Sequence, residues 1–191
     1  MKRIVLTFGL ISGAVVSVLM TLVVSFIDQI GFDRGVIVGY TAIVLSMLLV
    51  FFGIRSYREN VGNGQISFGR AFTIGILITL ISCACYVITW EIVYFNFLPD
   101  FGEKYGSYMV DQARTSGASP EQVAQTVDEM KQMKRYLDNP FVNAAFAFTE
   151  PFPVGLIITL VSALILRKRR PDLQNDQDQV KENPVQHVNP V

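Results

Sequence analysis

Histidine occurs once, cysteine twice and tryptophan once in this chain of 191 residues. The lone histidine, His187, sits near the C-terminus with no second imidazole to join it, so neither a histidine-based metal centre nor a Ser/His/Asp set can be assembled. Cys83 and Cys85 lie two apart inside one apolar run. On a helix they point about 200° from each other and cannot pair, so they read as packing residues. Charge is also scarce: Asp, Glu, Lys and Arg make up 17% of the chain, and 16 basic groups cancel 16 acidic ones. Without a net field there is nothing to hold nucleic acid. No glycine-rich phosphate loop and no zinc-binding histidine pair is present either. Neither cofactor, metal nor catalytic residue is expected, and the chain does not read as an enzyme.

Apolar length is what the chain has in excess. Hydrophobic residues are 51% of it and the mean hydropathy is +0.39, values of a membrane protein rather than a soluble domain. Residues 4–27 form 24 consecutive positions without a charge, long enough to cross a hydrocarbon layer of about 30 Å. That run is too long for the apolar part of a signal peptide and reads as an uncleaved first span. Residues 36–54 give a second span and residues 71–97 a third, with Glu91 near its end; residues 141–166 give a fourth, which holds Glu150, Pro151 and Pro153 and should be kinked. The expected fold class is all-α: a polytopic membrane protein of four transmembrane helices, since an open sheet could not satisfy its edges in lipid. The transmembrane domain is residues 1–170, and the polar, proline-containing stretch 171–191 reads as a disordered cytoplasmic tail. Counting Lys and Arg near the span ends places both termini in the cytoplasm, with nine basic residues inside against six outside.

Two polar connections carry detail. Residues 98–140 are expected to form an extracytoplasmic helical hairpin between spans three and four. Tyr105, Tyr108 and Met109 lie on one side of its first helix, and Gly117 supplies a stop. Ser119, Pro120 and Gln122 make a capping box that starts the second helix, on which Val123, Val127, Met130, Met133 and Leu137 recur at helical spacing until Asn139-Pro140. These stripes suit packing on each other and on the spans; the alternative is a docking surface for a protein partner. The inner loop 55–70 has a Gly62-Asn63-Gly64 turn and Ser67 as a cap for span three. Arg55, Arg58 and Arg70 fall at headgroup level, as topology determinants or as lipid headgroup contacts.

Several of these segments resemble one known family. They are Gly53-Ile54-Arg55-Ser56-Tyr57-Arg58, Gly64-Gln65-Ile66-Ser67-Phe68-Gly69-Arg70-Ala71-Phe72, Pro99-Asp100-Phe101, Asn139-Pro140, and Glu150 ahead of Pro153-Val154-Gly155. Together they are similar to domain of unknown function family 4199, over about residues 1–170, with the inner-loop motif the most specific part. Pro151 departs from the apolar residue that the resemblance implies after Glu150. The resemblance implies a four-span integral protein of the bacterial cytoplasmic membrane, and it implies no activity and no functional residues.

Small residues that let helices approach closely mark every span. Span one has Gly9, Gly13 and Ser17; span two has Gly35, Gly39, Ala42, Ser46 and Gly53. Span three has Gly75, Thr79, Ser82 and Tyr86, and span four has Gly155, Thr159 and Ser162. These stripes are expected to be helix contacts within the bundle, a stripe left over serving a homo-oligomer. Glu150 and Glu91 form the candidate intramembrane polar site, because a carboxylate in hydrocarbon is costly and is usually paired, protonated or wet. Tyr40 and Thr21 lie at a similar height. The helical wheel sets Glu91 about 180° from Ser82, the centre of the polar stripe of its span, which argues for a place at the interface instead. Two functions follow: a non-enzymatic accessory or interaction protein with the lipid bilayer and a hairpin partner as its contacts, or a small proton- or cation-coupled transporter using Glu150 and Glu91. A water-filled cavity reaching Glu150 would favour transport, and a sealed set of helices the interaction protein.

Overall fold

A computed structural model describes residues 1–168. Eight helices follow in order: α1 (Lys2–Ser25), α2 (Ile27–Ile30), α3 (Phe32–Asn60), α4 (Phe68–Phe97), α5 (Phe101–Thr115), α6 (Pro120–Leu137), α7 (Pro140–Thr149) and α8 (Pro151–Leu166). There is no strand among the described residues, only one antiparallel bridge between Ile66 and Lys168. Helices α1, α3, α4 and the pair α7–α8 are each long and apolar enough to cross a membrane. The second span runs well beyond its uncharged stretch at both ends, because helical hydrogen bonding continues through Asp33, Arg34 and the Arg55–Asn60 segment where the helix leaves hydrocarbon. The span formed by α7 and α8 is interrupted at Glu150. Pro151 has no N–H to offer the carbonyl one turn back, and neither has Pro153 two residues later, so the helical hydrogen bonding is interrupted there although Glu150 itself keeps helical φ and ψ of -77° and -59°. The segment 171–191, read as a disordered tail, lies outside the described residues, as do Arg169 and Arg170.

Two ends of the molecule can be told apart. One carries the turn at Gly62-Asn63-Gly64, where Asn63 and Gly64 adopt positive φ of 48° and 80°, and Ser67 Oγ accepts from the Arg70 N–H to start α4. Here Ile66 and Lys168 exchange two backbone hydrogen bonds of 3.2 and 3.0 Å, tying the turn to the end of α8. This is the loop end. The opposite, hairpin end carries α5 and α6.

Between the ends, α4 is the central element, packed against α1, α3, α7 and α8. A ladder of small and polar side chains runs along it. Gly13 of α1 faces Cys85, so that a Cβ on Gly13 would lie 2.6 Å from the Cys85 Cβ. Ser12 donates to the Ser46 carbonyl at 2.8 Å and lies 3.0 Å from the Ser82 hydroxyl, joining three helices at one level. Thr79 and Thr159 pair at 3.1 Å where Gly75 and Gly155 bring α4 and α8 together. The buried hydroxyls of Ser12, Ser82, Thr79 and Thr159 thereby find partners across helices, while that of Ser46 turns back onto the Ala42 carbonyl of its own helix. Apolar side chains such as Ile37 (67% exposed) and Ile165 (66% exposed) point outward, a surface suited to hydrocarbon and not to water.

One packing expectation is corrected. The stripe on span two was expected to be a helix contact along its whole length, but Gly39 has nothing within 4 Å of where a Cβ would stand, and Gly35 faces Ile27, its own chain's approach to α3. The reason is the break at Glu150. Helix α3 packs on α8, whereas the other half of the same span, α7, packs on α4, α6 and α8. Where α7 takes over from α8, α3 loses its neighbour and a gap opens.

The hairpin is fastened over that gap. Its second helix begins with a reciprocal capping box between Ser119 and Gln122 and follows a turn at Gly117 with φ of 82°. Lys104 of α5 pairs with Asp28 at 2.7 Å, and the Tyr108 hydroxyl donates to Asp33. Phe32 sits against Phe101, Tyr105 and Tyr108 with ring centroids 5.9, 5.5 and 5.0 Å away. The two hairpin helices are joined by Lys134, which donates to Glu103. That bond holds the Glu103 carboxyl below and the Lys134 ammonium above their ordinary values. Hydrogen bonding to Asp33 likewise raises the Tyr108 hydroxyl.

Candidate functional site

The gap between α3 and α7 is a cavity of about 340 Å³ beneath the hairpin, in the lower part of the size range of small-molecule pockets. Its inner wall is apolar, formed by Val16, Met20, Ile43 and Ala147, all nearly or fully buried. Its roof is Phe101 and Tyr105 of α5 with Met133 and Leu137 of α6. Its mouth is bordered by Val36 and Tyr40 of α3 and by Phe146, Thr149 and Glu150 at the helix break, all of them exposed. The opening therefore faces sideways, toward the apolar surface of the spans.

Polar groups meet at one point on this wall. The buried Tyr86 hydroxyl of α4 donates to Glu150 Oε2 at 2.5 Å. This bond crosses from the centre of α4 to the junction of α7 and α8, and Glu150 is placed to receive it because the proline break ends α7 one residue earlier. One turn nearer the hairpin along α4, Trp90 Nε1 donates to Asn143 Oδ1 at 2.6 Å, and Asn143 Nδ2 donates to the Leu137 carbonyl at 2.9 Å. Asn143, fully buried, thus satisfies one of the carbonyls left open at the end of α6 and locks roof to wall. Asn139 caps α7 beside it, its Oδ1 accepting from the N–H groups of Phe141 and Val142.

The four residues expected to form a polar layer separate into two pairs. Glu150 and Tyr40 both line the cavity. Thr21 does not: its hydroxyl turns back onto the Ser17 carbonyl one turn earlier in α1, at 2.8 Å, a bond that removes the need for any partner. Glu91 does not line it either, being half-buried on another face of α4 with Oε1 enclosed and unpartnered. The wheel position of Glu91 had pointed that way. Tyr86, Asn143 and Trp90 complete the site. Tyr86 was visible in the sequence only as the last member of a packing stripe, and Asn143 carried no signal beyond being an amide in an apolar run.

At the loop end, Arg55 and Arg58 share Glu59, with Arg55 Nε at 2.8 Å and the Arg58 guanidinium at 3.4 Å from Oε1. Arg58 Nε is enclosed without a partner, while Arg70 points toward the Met1 sulfur. The three arginines lie at one end of the spans, as headgroup contacts would, but two of the three are engaged by a carboxylate.

Among the described residues no group of three or more His, Cys, Asp and Glu side chains could hold a metal ion. One carboxylate with two phenols can accept or donate a proton, or hold a cation. Residues 7–168 match the sequence profile of the family described as Protein of unknown function (DUF4199). The chain belongs to that family. No curated protein and no solved structure matches it. The break at Glu150, the cavity and its roof all fall inside the part of this DUF4199 member that the match covers.

Proposed function

We propose that this DUF4199 protein is a non-enzymatic accessory protein of the bacterial cytoplasmic membrane, with both termini in the cytoplasm, that works by holding a small molecule in the cavity beneath its hairpin. The observation that carries this reading is the cavity itself: an apolar chamber, open at the side, with the Glu150–Tyr86 pair on its wall and a dedicated roof. Broken helices of this sort line the binding sites of transporters, and the same local geometry can serve binding alone. The hairpin was the one feature that lipid packing did not demand, and covering the chamber explains it. Its outward cleft between α5 and α6, with Val110, Met130, Arg114 and Lys131 along it, is where a protein partner would dock. Purified protein extracted from membranes should release a bound molecule detectable by mass spectrometry, and Gly39→Phe, which fills the chamber from a position with free space, should abolish that species. An identical yield from both proteins would refute the reading.

A second reading, proton- or cation-coupled transport, is favoured by the accessibility of Glu150 at a helix break. Against it, the chamber has one end: toward the loop end the core closes with Met47, Val50, Ile54, Ile74 and Ile78, each fully buried. Reconstituted vesicles decide between the two. Transport requires a pH-driven flux that Glu150→Gln removes; the binding reading expects no flux in either protein.

A further inference from the structure

The geometry points to a specific chemical class for the occupant of the cavity: an amphiphile that carries a cationic amine, entering from the bilayer between α3 and α7. The inference rests on the reading of the cavity as a binding site.

Three features select that class. Glu150 is the one charged residue among those lining the chamber and its partner there is a phenol, so among the described residues no cationic side chain stands ready to pair with a carboxylate at that place. A cation from outside would fill that role. Aromatic rings surround the same space: Trp90, Tyr86, Tyr105 and Phe101 all line it, and ring faces attract an ammonium that has shed its water. The rest of the wall is apolar and would refuse a small hydrated ion, but would accept an alkyl or aryl body. The mouth decides the route. Val36, Tyr40 and Phe146 border it and are 55%, 48% and 52% exposed, on a flank of the spans that carries apolar side chains outward. An amphiphile dissolved in the bilayer can enter there with its tail in hydrocarbon throughout, and the roof of α5 and α6 stands between the chamber and water.

The chain offers its own reporter, because its single tryptophan is Trp90, which lines the chamber. The full chain in nanodiscs of zwitterionic lipid is titrated with hexylammonium, hexanol, hexanoate and tetramethylammonium while Trp90 emission is followed. Hexylammonium is expected to give a saturable change at a concentration at least about ten-fold below that needed for hexanol, given the strength of charged hydrogen bonds. Hexanoate and tetramethylammonium are expected to give none. Glu150→Gln should bring the hexylammonium affinity down to that of hexanol and leave hexanol unchanged, the hexanol response showing that the variant is folded. Gly39→Phe should weaken both. Equal affinity for hexylammonium and hexanol, unchanged by Glu150→Gln, would overturn the cationic assignment while leaving a binding cavity. A tetramethylammonium response as strong as that of hexylammonium would overturn the amphiphile and the lateral route. No saturable response to any probe would overturn the cavity reading as well.

Discussion

Replacing Gly13 by alanine places a methyl carbon 2.6 Å from the Cβ and 2.7 Å from the Sγ of Cys85. Carbon atoms in contact prefer about 3.5–4.0 Å, so α1 and α4 must part by roughly 1 Å or bend locally. Rotation of a side chain does not help, since the nearest atom is a Cβ fixed to the backbone of α4. The same interface holds the Ser12–Ser82 pair at 3.0 Å and the Ser17 bond to the Cys85 carbonyl at 3.4 Å, and the parting stretches both past a useful length. Overpacking of this sort costs about 1–3 kcal/mol, and each lost interhelical hydrogen bond adds about 0.6 kcal/mol in a membrane protein, so Gly13→Ala should destabilise by roughly 2–4 kcal/mol. The same substitution at Gly39 meets empty space. There it should be neutral or stabilise by up to about 1 kcal/mol, through helix propensity alone. Unfolding in mixed detergent micelles, followed by circular dichroism, gives both values. The reasoning fails if Gly13→Ala is as stable as the wild type, or if the two alanines cost the same.

Glu150→Leu removes the acceptor of the buried Tyr86 hydroxyl and should destabilise by about 1–3 kcal/mol, whereas Glu150→Gln keeps an acceptor and should lie within about 1 kcal/mol of wild type in the same unfolding assay. Asn143→Leu strands both the Trp90 indole N–H and the Leu137 carbonyl, so loss of stability together with an altered Trp90 emission maximum is expected. The Glu103–Lys134 bond should help to hold α5 against α6 across the middle of the pH range. Its lowered carboxyl means the contribution is lost as pH falls below the ordinary glutamate range, and its raised ammonium means it is lost again as pH rises beyond the ordinary lysine range. Proteolysis of the hairpin against pH, in wild type and in Glu103→Gln, reads this directly, the variant showing a smaller dependence at the acid end, where Asp28 and Asp33 still titrate. For topology, with Cys83 and Cys85 replaced by alanine, Asn63→Cys and Ser119→Cys should label from opposite sides of intact cells, Ser119→Cys from outside; labelling from one side removes the four-span arrangement.

The spans and the hairpin were legible in the sequence because each rests on local information. Uncharged runs of 19 residues and more announce helices in lipid, and Ser119 with Gln122 announces a helix start within four residues. Glu150 was legible for the same reason, as a carboxylate next to two prolines inside an apolar run. What pairs with it was not, because Tyr86 lies 64 residues away on another helix, and a helical wheel gives the direction of a side chain but not what stands opposite. Gly39 shows the same limit from the other side. It lies on the small-residue face as expected, yet its neighbour is a cavity created by a proline break more than 100 residues later. Thr21 had the right height for the site, but a threonine in a helix can satisfy itself on the preceding turn, and here it does.

The central claim is that α3 and α7 enclose an open chamber where the sequence pattern implied helix contact, and a thiol placed in its wall tests it most directly. In the background with both native cysteines replaced, Gly39→Cys should react with a membrane-permeant maleimide, and Trp90 emission should change on coupling, because both residues line one cavity. Ser46→Cys, two turns further along α3 at a fully buried position, should stay inert under the same conditions. An unreactive Gly39→Cys in a folded protein, or equal reactivity at both positions, would contradict the chamber and the function built on it.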